Sequence, residues 1–296
     1  VTGGRRSPAL PGCGLGVGRR RLKDRLATAF FVLAAALLGL LVFFMFSFVL
    51  KQGWGVLSWD FLTEPPRDGM SAGGIWTPLV GTVQLTLLSM VVAVPIGVGT
   101  GLYFSEYAGS SRFARLVRLA LRSLAGVPSV IFGLFGLSFF VIFLRFGPSM
   151  LAAAMTLACL ALPLMATASE QAFAAVPEEY RAASFALGAT RWQTIWRVIL
   201  PSASPAVLTG VVLSIGRVAG ETAPIIFTGA AFYTQGTARS VFDEVMALPY
   251  HVYVLATAGT QVEKTRPIQY GAILVLVGLI LGVSALGVLL RARLRK

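Results

Sequence analysis

The chain is short of charge. Asp, Glu, Lys and Arg make up 12% of its 296 residues, against about 25% in soluble domains. Hydrophobic residues reach 56%, and the mean hydropathy is +0.79. Such a chain cannot hide its apolar surface in a water-soluble core, so lipid must serve as its solvent. Histidine occurs once and cysteine twice. Cys13 and Cys159 lack CxxC or Cys/His spacing, which supports neither a disulfide framework nor a zinc site. A G-x-x-x-x-G-K-[ST] phosphate loop is absent, so no nucleotide-hydrolysing motif is present. The glycine-rich run Gly12–Arg20 follows no strand and does not fit a dinucleotide fingerprint. Leu10–Cys13 lacks the preceding apolar segment of a lipoprotein cleavage site. No period of 20–50 residues marks a repeat fold. No nucleophile–base pair falls at plausible spacing on one side of a membrane, which argues against an enzyme.

Long apolar runs are what the chain does have. A helix needs about 20 such residues to cross ~30 Å of hydrocarbon. Six segments qualify, at about 26–50, 79–104, 127–145, 149–168, 205–231 and 270–290. The predicted fold class is an all-α membrane protein with six transmembrane helices. A tight turn, Arg145–Pro148, joins the third and fourth, and residues 1–25 read as a basic, unstructured tail. Cations are few but placed. Arg5, Arg6, Arg19, Arg20, Arg21, Lys23 and Arg25 precede the first span, and Arg112, Arg115, Arg118 and Arg122 fill the second loop. Arg181, Arg191 and Arg197 lie in the fourth loop, and Arg291, Arg293, Arg295 and Lys296 close the chain. These positions hold most of the 25 Lys and Arg. By the positive-inside rule both termini are then cytoplasmic. The net charge of +13 reports membrane orientation, and no nucleic-acid partner is implied.

The fourth loop, 169–204, is patterned. In "VPEEYRAASFALGATRWQTIWRVILP" (Val176–Pro201), Pro177 suits a first helical position, with Glu178 and Glu179 in the first turn. Gly188 supplies a left-handed stop. Thr190 and Gln193 form a capping box for a second helix that carries Trp192, Ile195, Trp196 and Ile199 and is expected to halt before Pro201. The aromatics either rest against the membrane interface or form a docking surface for a soluble partner.

"RAASFALGATRWQTIWRVILPSASP" resembles the cytoplasmic EAA loop of binding-protein-dependent ABC importer permeases. Gly188 is followed at the family spacing by Val198, Ile199, Leu200 and Pro201. The family's Glu position holds Ala182, with Ala183 next. "SWDFLTEPPRDGMSAGGIWTPLVGT" (Ser58–Thr82), "VPIGVGTGLYFSEYA" (Val94–Ala108), "LAGVPSVIFGLFG" (Leu124–Gly136) and "GRVAGETAPIIFTG" (Gly216–Gly229) are similar to phosphate importer permeases of the PstA type. The resemblance implies a type I ABC importer permease half. Its partners would be a second, PstC-type permease, a cytoplasmic ATPase dimer and an external phosphate-binding protein, besides membrane lipid. ATP and Mg would be bound by the ATPase, with no cofactor in this chain. Ala182, Ala183, Gly188, Leu200 and Pro201 would form the ATPase-coupling segment.

Within the fifth apolar segment lie Arg217 and Glu221, each costing roughly 2.5–3.5 kcal/mol at the centre of a membrane helix. Four residues apart, they share a helix face and can pair. Gly216 and Gly220 make a GxxxG unit for close helix packing. Pro224 removes the donor for the Gly220 carbonyl. Two readings stand side by side. The pair fixes helix register, or Arg217 offers phosphate a positive site that Glu221 moderates, with hydroxyls from Thr222 and Thr228. His251 reads as a packing or interface residue, near the outer end of the last span or in a partly buried outer segment. Alternative functions are a same-fold permease for sulfate or molybdate and a stand-alone proton-coupled carrier using Arg217 and Glu221 as its relay. The missing inverted repeat counts against the carrier.

Overall fold

A computed structural model describes residues 14–109, 111–234, 236–258 and 262–294. The chain divides into two compact units, Val1–Lys51 and Gln52–Lys296. The described part of the first unit belongs to helix α1 (Gly14–Gly53). Its apolar side chains, such as Phe30, Phe31 and Phe43, are exposed on every face, as a lipid-facing span requires. Helix begins at Gly14, inside the segment read as an unstructured tail, because the Arg-, Leu- and Lys-rich run that follows favours helix. Cys13, Arg5 and Arg6 lie outside the described residues, as do Arg295 and Lys296.

The second unit opens with a small cap. Helix α2 (Trp59–Thr63) is N-capped by Ser58, whose hydroxyl accepts from the Phe61 N–H at 3.1 Å. Strands β1 (Pro66–Arg67) and β2 (Ala72–Gly73) form an antiparallel ladder with Pro66 opposite Gly73. Phe61 and Ile75 are buried with Leu248 and Ala272, which ties the cap to the C-terminal helices α11 (Leu248–Thr257) and α12 (Val262–Leu294).

The centre of this unit is the pair α3 (Trp76–Glu106) and α6 (Met150–Ala174). Their close approach depends on Gly97 and Gly101. A Cβ at Gly101 would stand 2.6 Å from the Glu170 nitrogen and 2.9 Å from the Ala166 oxygen. Leu85, Met90 and Ala93 of α3 meet Ala154, Leu157 and Ala161 of α6 in the buried core. Helix α9 (Leu200–Gly220) adds Val218 to the same core.

Among the described residues, five helices are long and apolar enough to span a membrane, or six if one bent pair counts as a single span. That pair is α4 (Arg112–Ala125) and α5 (Ser129–Gly136, continuing as a π turn over Leu137–Phe143), bent by 104°. The third predicted span, 127–145, is therefore a shorter helix over 129–143, capped by Pro128. At 1.5 Å per residue it rises roughly 22 Å. Arg145 and Gly147 take left-handed φ angles of 57° and 68° and close the tight turn into α6.

The fifth predicted span, 205–231, also differs. Helix stops at Gly220, Glu221 is extended, and Pro224 sits at the start of the short α10 (Ala223–Ile226). Proline cannot continue the donor ladder, which forces the break. Below it, the helix that was expected to halt before Pro201 runs on. Helix α8 (Arg191–Thr194) passes through a π turn at Ile195–Ile199 directly into α9. Side chains supply donors around Pro201 and Pro205. The Ser202 hydroxyl donates to the Val198 carbonyl at 2.6 Å, and the Ser204 hydroxyl donates to that of Pro201 at 2.8 Å.

Candidate functional site

Two regions of the second unit carry the residues singled out by the sequence. The first is the patterned loop. Helix α7 (Glu178–Ala186) starts one residue after Pro177, which occupies the N-cap. It ends in a paired turn. Ala189 N–H donates to the Ser184 carbonyl and Gly188 N–H to that of Phe185, with Gly188 at φ 81°. This is the glycine stop the sequence predicts. The capping box forms as well, with the Gln193 N–H at 3.3 Å from Thr190 Oγ1 and the Gln193 side chain accepting from the Thr190 N–H at 2.9 Å.

Ile195 and Ile199 turn inward and are buried with Phe173 and Val176. Trp192 and Trp196 stay outside, with ring centroids 5.5 Å apart. Leu187 is 90% exposed. Ala182, Ala183, Gly188 and Pro201 are exposed too, while Leu200 is half-buried. The structure thus gathers an apolar surface at the α7–α8 corner.

Behind that surface stands an ion-pair network that sequence reasoning did not find. Arg181, on the buried side of α7, donates from its guanidinium to Glu106 at 2.9 Å at the end of α3. It also donates to the carbonyls of Val176 at 2.6 Å and Phe173 at 2.9 Å. The bond to Glu106 holds the Arg181 guanidinium above its ordinary range, against the opposing effect of burial. Beside it, Arg118 of α4 meets Glu170 of α6 at 2.6 Å and covers the Phe104 ring at 5.1 Å. Arg191 reaches the Glu106 carbonyl at 3.4 Å. These groups line a cleft of about 490 Å³. The sequence signal was available: Glu106 and Glu170 are rare acids at the ends of apolar helices. On sequence alone, Arg181 and Arg118 read only as topology charges.

The second region is the break after α9. Arg217 Nε and Glu221 Oε1 lie 3.4 Å apart, with side chains 38% and 18% exposed. The pair forms, but not on one continuous helix in mid-span. Arg217 sits in the last turn of α9 and Glu221 is its C-cap. There the helix dipole favours a cation. Leu213, Arg217 and Gly220 make an exposed strip along α9. Thr222 is half-buried next to Glu221, whereas Thr228 is buried and donates its hydroxyl to the Pro224 carbonyl at 3.0 Å. Gly216 and Gly220 are not the close-packing unit expected. A Cβ at either would meet Ile280 of α12 at an ordinary 3.5 or 3.7 Å. The tight glycine pair is Gly97 and Gly101 instead. His251 is buried in α11, and neither ring nitrogen has a hydrogen-bond partner among the described residues.

Residues 93–296 match the family model described as "Binding-protein-dependent transport system inner membrane component". The probable ABC transporter permease protein YqgI of Bacillus subtilis is 31% identical, covering 87% of this chain and 91% of its own length. The phosphate transport system permease protein PstA of Mycobacterium leprae is 34% identical over 92% of this chain and 90% of that protein. The probable PstA of Methanocaldococcus jannaschii is 31% identical over 89% and 92%. Among solved structures, a chain of a bacterial ABC transporter that imports alginate superposes with a TM-score of 0.66 at 14% identity, covering 93% of this chain and all of that one. A chain of the MetNI methionine transporter gives a TM-score of 0.58 at 20% identity, over 75% of this chain and 95% of that one. The long apolar helices, the glycine-stopped loop and the α3–α6 core are thus those of a type I importer permease. The chain belongs to the family of binding-protein-dependent transport system inner membrane components, as a multi-pass permease subunit of an ABC importer.

Proposed function

We propose that this chain is one permease half of an ATP-driven phosphate importer. The observation that carries the reading is Arg217 at the broken end of α9. Its guanidinium remains partly open beside Glu221, on an apolar helix where an exposed charge calls for a partner or a passing ion. A guanidinium matches phosphate geometry, and Glu221 keeps the attraction modest, as passage requires. The phosphate-system permeases among the relatives support that anion. The exposed strip of α9 faces a second, PstC-type permease, which closes the pathway. The α7–α8 corner lies in the cytoplasm, where the density of arginine favours it. There Leu187, Trp192 and Trp196 dock on an ATPase that binds ATP and Mg. An external binding protein delivers the anion to the opposite end.

The test is labelled phosphate uptake in cells lacking their own high-affinity permease, with this chain supplied alongside its neighbouring subunits. Uptake that resists excess sulfate, excess molybdate and an uncoupler is expected. Uptake abolished by either anion overturns the substrate. Uptake abolished by the uncoupler while ATP holds makes the Arg217–Glu221 pair a proton relay.

A further inference from the structure

Helix α4 plays no part in the function proposed above, and only its Arg118 joins the ion-pair network. It carries four arginines and no acidic residue. At 100° per residue, Arg115, Arg118, Arg122 and Arg112 gather on one side, and Phe113, Leu116, Ala120 and Leu124 on the other. The edge that touches the protein is narrow. Ala114 is buried, and Val117 and Leu121 pack with Phe104 and Ala108. Phe113 is left 72% exposed and Leu116 63%. Arg112 and Arg122 are exposed as well.

Orientation gives this pattern a meaning. The axis turns by 104° between α4 and α5. If α5 enters the bilayer, α4 must lie close to the membrane plane. In the corner of the elbow is an apolar groove of about 440 Å³, lined by Leu121 and Leu124 of α4, Ile131 and Phe135 of α5, and Leu162 and Pro163 of α6.

The geometry points to a binding surface for anionic phospholipid. An acyl chain fills the elbow groove, and Arg122, on the turn of α4 that contributes Leu121 and Leu124, holds its head group. Arg112, about 15 Å along the helix, holds a second. The apolar side of α4 supplies the depth of insertion, as in other interfacial basic helices. A soluble partner cannot reach a groove between two membrane helices. A second permease on the apolar side would leave Arg112 and Arg122 without opposite charge. Anionic head groups meet both demands.

The assembled transporter is placed in nanodiscs of equal phosphatidylcholine and phosphatidylglycerol, and the lipids it retains are identified by native mass spectrometry. Phosphatidylglycerol should be enriched, and Arg112→Gln with Arg122→Gln should lower that enrichment by about fivefold per arginine. Equal retention of both lipids, or an enrichment unchanged by the glutamines, overturns the site. A second measurement leaves the arginines intact. A nitroxide at Leu116→Cys, in a Cys13→Ser, Cys159→Ser background, should collide with oxygen and escape a water-soluble nickel chelate. A label open to the chelate, or immobilised against protein, places α4 in water or under a partner and sinks the proposal. Neither readout depends on which anion is transported.

Discussion

Replacing Arg181 by glutamine should loosen α7 from the rest of the unit. The guanidinium joins Glu106 at 2.9 Å, and both side chains are 11% exposed. It also serves the carbonyls of Val176 and Phe173. Removing one member of a buried pair costs about 3–5 kcal/mol, because the other charge is left without compensation. Here a cleft of about 490 Å³ adjoins the pair and lets water reach Glu106, so the lower end, ~3 kcal/mol, is expected. Glu106→Gln, which keeps an acceptor for Arg181, should cost less. The two together should cost less than their sum, with a coupling of about 1–2 kcal/mol. The assay is reversible unfolding in mixed micelles for the two single variants and the double, with ATP hydrolysis of the assembled transporter recorded in parallel. A coupling below about 0.5 kcal/mol would refute the reasoning and reduce the network to surface decoration.

Gly188→Asp should uncouple hydrolysis from uptake while the protein remains in the membrane, since a non-glycine residue at φ 81° strains the corner by about 1–2 kcal/mol; normal coupled uptake would count against docking at α7–α8. Gly101→Val should deplete the assembled protein, because its Cβ would meet the Glu170 nitrogen at 2.6 Å, whereas Gly216→Ala, 3.5 Å from Ile280, should be tolerated; equal amounts of the two on a membrane blot would contradict this packing. His251 lies in α11, outside the spanning helices, and burial pushes its pKa down to about 4 from 6.5. The unfolded chain therefore takes up the proton first as pH falls. Stability is complete above about 6.5 and drains toward pH 4, by ~3 kcal/mol. Melting curves across that window should flatten for His251→Leu, and an unchanged slope would exclude the histidine as the cause. Arg217→Gln should abolish phosphate uptake with assembly intact; loss of assembly instead would favour a register role for the pair.

The membrane class was legible because it rests on sums over many residues, and the caps at Gly188 and Thr190 because they depend on neighbours within five positions. Helix ends governed by distant partners were less legible. The run over 205–231 is apolar apart from Arg217 and Glu221, so hydropathy could not reveal that the helix stops at Gly220. Likewise Pro201 read as a stop, since nothing local announces that a π turn and two serine hydroxyls will carry the helix through. The Arg181–Glu106 pair was hidden for a different reason. Its members are 75 residues apart, and only the packing of α7 against the end of α3 brings them together.

The passage of α8 through Ile195–Ile199 into α9 has a mechanical consequence. Arg191–Gly220 counts 30 residues, a strut of about 45 Å. One end bears the exposed tryptophans and the other bears Arg217. A tilt imposed at the tryptophan end is then delivered to the guanidinium without passing through a flexible linker.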